Sequence, residues 1–237
     1  MTRIEPRFPG FAILSGLFSR LCLACREPSR TRDLCSKCLD HPVWQRSATP
    51  LWGASGPVHF GFYDEGPVSR LFRTAKRSGN RRALDALYSR LDLSRLIPSR
   101  SCLFLPVPPS RGRLISRGLS VPDSLGFRLS KVSGIPCSLS GIRRTRDDPQ
   151  KGQNRMERRE ALFSPRFVIE SRESSRWPKE GLVLVDDLFV TGWTLRSVQT
   201  LLAREGVPVR AMITLLYREG RGEEGGGDRG LQSGKYS

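Results

Sequence analysis

Residues 181 to 216 leave few folds open. Leu182-Val183-Leu184-Val185 is an unbroken apolar run, which is how a strand reads when both faces of its sheet are covered. The run ends in the acid pair Asp186-Asp187. A loop, Leu188-Phe189-Val190-Thr191-Gly192-Trp193-Thr194, then leads into a helical pattern with Leu195, Val198, Leu201 and Leu202 on one face. Gly206 closes that helix, and Val209 to Leu216 supplies the next strand. Strand, helix and strand in this succession build a parallel α/β sheet with right-handed crossovers. Ligands of such sheets bind beyond the carboxyl ends of the strands, where the acid pair and the Gly-containing loop fall.

The residue types at that end point to a phosphorylated ligand. Thr191, Gly192 and Thr194 precede a helix whose first N–H groups lack intrahelical partners. A phosphate there gains amide donors, hydroxyl donors and the positive end of the helix dipole. The plainer reading makes Thr194 an N-cap, worth about 1 kcal/mol. Consecutive strand residues point to opposite faces, so Asp186 and Asp187 are poorly placed to share one proton. They suit hydrogen bonds from a ribose diol, and their charge would stabilise a cationic sugar transition state.

A second constellation stands near the amino terminus. Cys22-Leu23-Ala24-Cys25, nine residues, and Cys35-Ser36-Lys37-Cys38 form two thiolate pairs, each able to hold one edge of a tetrahedral metal site. The spacing predicts a compact structural zinc module, closed by its four thiolates and without an open catalytic position. Disulfides and an iron–sulfur cluster are the alternatives. Adjacent CxxC pairs are strained as internal disulfides, and the remaining cysteines, Cys102 and Cys137, are too few for a secreted scaffold.

Charge narrows the partners. Lys and Arg number 40 against 23 Asp and Glu, a formal excess of +17, which calls for an anionic ligand or partner. Arg supplies 34 of the 40, a bias that a GC-rich genome also produces. No apolar run reaches the roughly 20 residues of a bilayer span. Phe11 to Phe18 imitates a signal h-region, but Arg20 breaks it and no small-residue cleavage site follows, so a cytoplasmic protein is expected.

Between these landmarks, a connecting segment from Asp40 to Gly56 leads into a strand near Val58 to Tyr63. Val68, Leu71, Phe72 and Ala75 then predict an amphipathic helix whose outer face carries Arg70, Arg73, Lys76 and Arg77, and Gly79 is placed to stop it. A second helix is expected over Ala83 to Leu93, a strand over Ser101 to Val107, and a helix over Asp123 to Val132. Arg143 to Arg159 reads as a mobile basic loop, and Phe167 to Glu170 as a strand. Seven Gly in the last twenty residues predict a disordered tail. The expected domains are 1–50 for an N-terminal helix and cysteine module, 51–217 for the α/β unit and 218–237 for the tail.

Val185-Asp186-Asp187-Leu188-Phe189-Val190-Thr191-Gly192-Trp193-Thr194 resembles the ribose-5-phosphate loop of type I phosphoribosyltransferases. The chain from about residue 20 to 216 resembles the ComF family of competence-associated proteins. Its four-cysteine module comes first, then Tyr63-Asp64-Glu65-Gly66-Pro67-Val68 and Lys76. Pro106-Val107-Pro108, Arg117-Gly118, Arg143-Arg144-Thr145, Gln150 and Arg158-Arg159 follow in order. Val190 replaces a customary Thr, Trp193 a customary small residue, and Ser120-Val121-Pro122 a polar stretch, so the phosphate meets fewer hydroxyl donors.

The resemblance implies a doubly wound, mostly parallel sheet of type I phosphoribosyltransferase type with a small four-cysteine zinc module. It also implies a site for 5-phosphoribosyl 1-diphosphate with Mg²⁺ bridging diphosphate and ribose. Asp186 and Asp187 would serve the ribose, residues 190 to 194 the 5-phosphate, and Lys76, Arg111 or Arg117 the diphosphate. The competing expectation is a non-catalytic protein that tracks single-stranded DNA along its basic surfaces, among competence or DNA-processing partners. Phe72 and Tyr88 are the chief aromatics near those bases.

Overall fold

The computed structural model describes residues 20–29, 33–46, 50–53, 56–99, 103–109, 112, 114–115, 118–145, 167–170 and 177–219. Two short strands, β1 (Arg20–Leu21) and β2 (Pro28–Ser29), pair antiparallel, and a one-turn helix α1 (Ser36–Leu39) carries Cys38, with Cys35 as its N-cap. A central sheet follows. β3 (Leu51–Gly53) runs antiparallel along β4 (Gly56–Tyr63), which starts four parallel strands in the order β4, β9 (Val209–Tyr217), β8 (Leu182–Phe189) and β5 (Phe104–Pro106). The α/β class with a parallel sheet and an N-terminal cysteine cluster is therefore present.

Sequence chemistry explains the helices around it. α2 (Gly66–Ser78) tolerates Pro67 because the first-turn N–H groups have no partner anyway. Lys76 and Arg77 complement the dipole in its last turn, and Gly79 ends it at φ +62°, a left-handed conformation that costs glycine nothing. α3 (Arg81–Tyr88) begins two residues earlier than periodicity suggests, because the Asn80 side chain accepts from the Ala83 N–H at 3.1 Å. It also ends earlier, and a 3₁₀ turn over Leu93–Leu96 takes up the rest. α4 (Val121–Ser133) likewise starts before Asp123, capped by Ser120 Oγ at 3.3 Å from the Asp123 N–H.

The sheet is covered on both sides. On one face Val183, Val185, Ile213 and Leu215 pack with Leu71 and Ala75 of α2, Leu84 and Leu87 of α3, and Leu125 and Leu129 of α4. Cys22, Leu23, Ala24 and Cys38 join this same core, so the cysteine module leans on α2. On the other face Leu182, Leu184 and Met212 pack with Leu195, Val198 and Leu202 of α5 (Trp193–Arg204). Each fully buried leucine contributes about 2 kcal/mol, which is why the apolar run at 182 cannot sit at a surface.

Two differences from the sequence reading bear on the site. The strand does not stop at the acid pair. Leu188 pairs with Leu216 and Phe189 with Tyr217, so β8 runs four residues past Val185 and the loop shrinks to residues 190–192. Part of the expected basic loop is a strand: β6 (Ile142–Arg144) pairs antiparallel with β7 (Phe167–Ile169), and Ile142 and Phe167 pack into the α5-side core. The rest of that loop, residues 146–159, lies outside the described residues, as do the N-terminal segment 1–19 and residues 220–237. Of the expected tail, Arg218 pairs with Asp64 and Glu219 with Arg46.

Candidate functional site

Strands β5 and β8 are neighbours, yet their continuations part. The chain leaving β5 reaches α4 on one face of the sheet, while the chain leaving β8 enters α5 on the other. A crevice opens where the two loops diverge, the position at which open α/β sheets bind ligands. It has a volume of about 240 Å³. Val107, Pro108 and Pro109 after β5 form one wall, Leu119 to Pro122 at the head of α4 a second, and Arg144 of β6 overhangs it. Asp186, Asp187, Leu188 and Thr194 line the β8 side, and Lys76 reaches in from α2.

The two acids stand in different settings. Asp187 faces α2, and its Oδ2 lies 2.5 Å from Lys76 Nζ. The ammonium also sits 5.1 Å from the centre of the Phe72 ring. Asp186 Oδ1 accepts from the Asp187 N–H at 2.7 Å. Burial pushes the pKa of Asp186 up to about 7, and the negative charge of Asp187 adds to the shift. The Asp187 amide, Lys76 and Arg144 pull the other way without reversing it. One carboxylate is thus clamped by a base, and the other can change its charge near neutral pH.

The loop after β8 differs from expectation in its capping. Gly192, not Thr194, is the N-cap of α5. It adopts φ +69° and, as glycine, brings no side chain of its own to cap the helix. A Cβ at this position would lie 2.7 Å from Phe189 Cε2, so glycine is required by both backbone and neighbour. Thr191 Oγ1 accepts a long hydrogen bond, 3.4 Å, from the Trp193 N–H, and Thr194 lines the crevice. Trp193 is 50% exposed and does not seal the turn, and Val190 is half-buried. Arg111 and Arg117 lie outside the described residues.

Periodicity gave no sign of Arg144. The sequence marks it as part of the Arg143-Arg144-Thr145 block of the ComF resemblance without assigning it a place at the site, whereas the β6–β7 pairing sets it over the Phe167 ring, 5.5 Å from its centre, and at the crevice. Ser120 is similar: its hydroxyl caps α4 and the residue lines the crevice, and a serine just ahead of Pro122 in the first helical turn could have signalled the cap.

The four cysteines converge. The Sγ atoms of Cys22, Cys25, Cys35 and Cys38 all lie within 4.8 Å of one another, with Cys25 and Cys35 3.5 Å apart. A tetrahedral site with Zn–S bonds of about 2.3 Å needs sulfur separations of about 3.8 Å, so the set fits zinc. The separation of Cys25 and Cys35 is well beyond an S–S bond of about 2.05 Å. Crowding shows in the thiols. Burial and the neighbouring sulfurs push Cys38 up. For Cys22 burial is outweighed by N–H groups of the surrounding backbone, which bring it down to about 6. Cys22 and Cys38 are buried and Cys25 and Cys35 half-buried, and four thiolates would fill a tetrahedral zinc, leaving no coordination position for a substrate.

The chain is similar to Competence protein F of Haemophilus influenzae. The two are 31% identical over 104 residues, which is 44% of this chain and 44% of that protein. The match therefore spans less than half the length of the curated relative. No family model matches. Among the described residues, no helix is long and apolar enough to cross a membrane.

Proposed function

We propose that this is a ComF-like, competence-associated protein whose crevice binds 5-phosphoribosyl 1-diphosphate. The observation that carries the reading is the acid pair at the carboxyl end of β8, set between Lys76 and Arg144 and beside the start of α5. In this reading the division is an N-terminal cysteine module to about residue 50, a phosphoribosyltransferase-like domain to 217 and a tail. The reduced thiols of the metal module suit the cytoplasm.

Each group has a task. The N–H groups at the start of α5, with the hydroxyls of Thr191 and Thr194, hold the 5-phosphate, and Val190, Gly192 and Trp193 shape the turn. Asp186 and Asp187 accept hydrogen bonds from the ribose hydroxyls, and their negative charge favours the positive charge that develops on the sugar as the diphosphate departs. Lys76 neutralises the diphosphate, with Arg111 and Arg117 as further bases. Mg²⁺, bound with the sugar diphosphate, would screen the charge of the leaving group. Calorimetric titration with the sugar diphosphate and Mg²⁺ tests this, since wild type should release heat and Asp186→Ala/Asp187→Ala should not. Equal heats would sink the reading.

A second reading, single-stranded DNA binding, is favoured by one surface. Arg70, Arg73 and Arg77 stand exposed along α2, and Arg81 continues the row at the start of α3. Such a row tracks phosphates without reading bases.

A further inference from the structure

The crevice holds its two most useful charges locked together. The Lys76 ammonium and the Asp187 carboxylate stand 2.5 Å apart, with side chains only 31% and 18% exposed. On the ligand reading above these residues serve different parts of one molecule, the base its diphosphate and the acid its ribose. A diphosphate alone that drew off Lys76 would strand a shielded carboxylate, and a ribose alone that took Asp187 would strand a shielded ammonium. Leaving one member of a desolvated pair without a partner is costly, whereas exchanging both partners together is not.

We propose that the Lys76–Asp187 ion pair is a specificity gate, opened by a ligand that brings an anionic group for the base and vicinal hydroxyls for the acid at the same time. The geometry allows the exchange. Lys76 lies in the last turn of α2, where its long side chain can swing, and the face of Phe72 holds its ammonium when the carboxylate turns away. Asp187 is fixed in the ladder between β8 and β9 and turns only about its side-chain bonds. The gate rejects free diphosphate and free ribose 5-phosphate although each matches half of the site. This inference rests on the sugar diphosphate reading and adds to it a rule of selection.

The test is calorimetry at pH 8 with Mg²⁺ and three ligands: the sugar diphosphate, inorganic diphosphate and ribose 5-phosphate. Wild type should bind the first and bind each half far more weakly. Asp187→Asn should bind inorganic diphosphate at least about tenfold tighter than wild type, the lower end of the coupling found for close charge pairs. Lys76→Met should gain in the same way for ribose 5-phosphate. Because loss of any negative charge favours an anion, Asp186→Asn is the control: Asp186 has no ion pair with Lys76 and should gain much less. Thermal melts establish that each variant is folded. Equal diphosphate affinity in wild type and Asp187→Asn, or an equal gain in Asp186→Asn, overturns the gate alone. A wild type that ignores the sugar diphosphate overturns both the gate and the ligand assignment.

Discussion

The hydroxyl of Thr74 donates to the backbone carbonyl of Leu23 across 3.4 Å, tying the first cysteine knuckle to the helix that carries Lys76. Leu23 and Ala24 share a core with Leu71, Phe72 and Ala75. The module is thus a backing plate for α2. Stripping the metal with a chelator, or replacing Cys38 by Ser, should lower Tm by on the order of 10 °C, because binding energy at a structural zinc is folding energy. The loss should appear as faster amide exchange in α2 before it appears in α5, which packs on the other face. Uniform exchange across both helices would contradict this mechanical link.

Asp186 sets a pH dependence of known sign. Its carboxyl holds a proton up to about pH 7 in the folded protein and only up to about 3.8 when exposed. Between those values the native state binds more protons than the unfolded state, so stability falls as pH rises through that window and levels off above about 7. The contribution is present in full below about pH 4. Asp186→Asn stays neutral throughout and should remove the decline. In denaturant melts it should be more stable than wild type at pH 8 by up to about 3 kcal/mol, and nearly equal to it at pH 4. A variant less stable than wild type at pH 8 would mean that the carboxylate is stabilised there.

Gly192→Ala should cost about 1 to 3 kcal/mol of stability, since it places a side chain at positive φ and drives a methyl group against the Phe189 ring. Adding Phe189→Leu removes the collision but not the backbone strain. The double variant should therefore recover only part of the loss in urea denaturation. Full recovery would make the contact, rather than the conformation, the reason for glycine.

How much of this could be seen in the residues alone follows from the range of the forces. The β8–α5–β9 unit was legible, because burial on both faces imposes a continuous apolar run at 182 and a helical period from 195. The cysteine quartet was legible because metal ligation fixes spacing. α2 was readable to its last residue, as Gly79 stops it by a local rule. The run of β8 through Leu188 and Phe189 was not, since only pairing with Leu216 and Tyr217 sustains it. The alternative of Thr194 as a cap could not be decided from local chemistry, and the close approach of Phe189 that demands glycine at 192 is a contact in space. Arg144 could be named within the Arg143-Arg144-Thr145 block but not placed, because its position at the crevice depends on a partner strand 23 residues later in the chain.

The exposed row on α2 separates the two functional readings. Arg70, Arg73 and Arg77 lie outside the crevice, whereas Lys76 lines it from the same helix. Replacing the three arginines by Gln removes three positive charges from the outer edge and leaves the crevice lining intact. If single strands bind there, the slope of log affinity against log salt should become shallower by about 2, as each phosphate contact contributes about 0.7. On the proposed assignment, heats of sugar diphosphate binding should not change, because none of the three residues lines the crevice. A DNA affinity that is indifferent to salt, or unaltered in the triple variant, would remove α2 as a DNA surface. A parallel loss of sugar diphosphate binding would instead place both polyanions on overlapping ground that includes the α2 arginines.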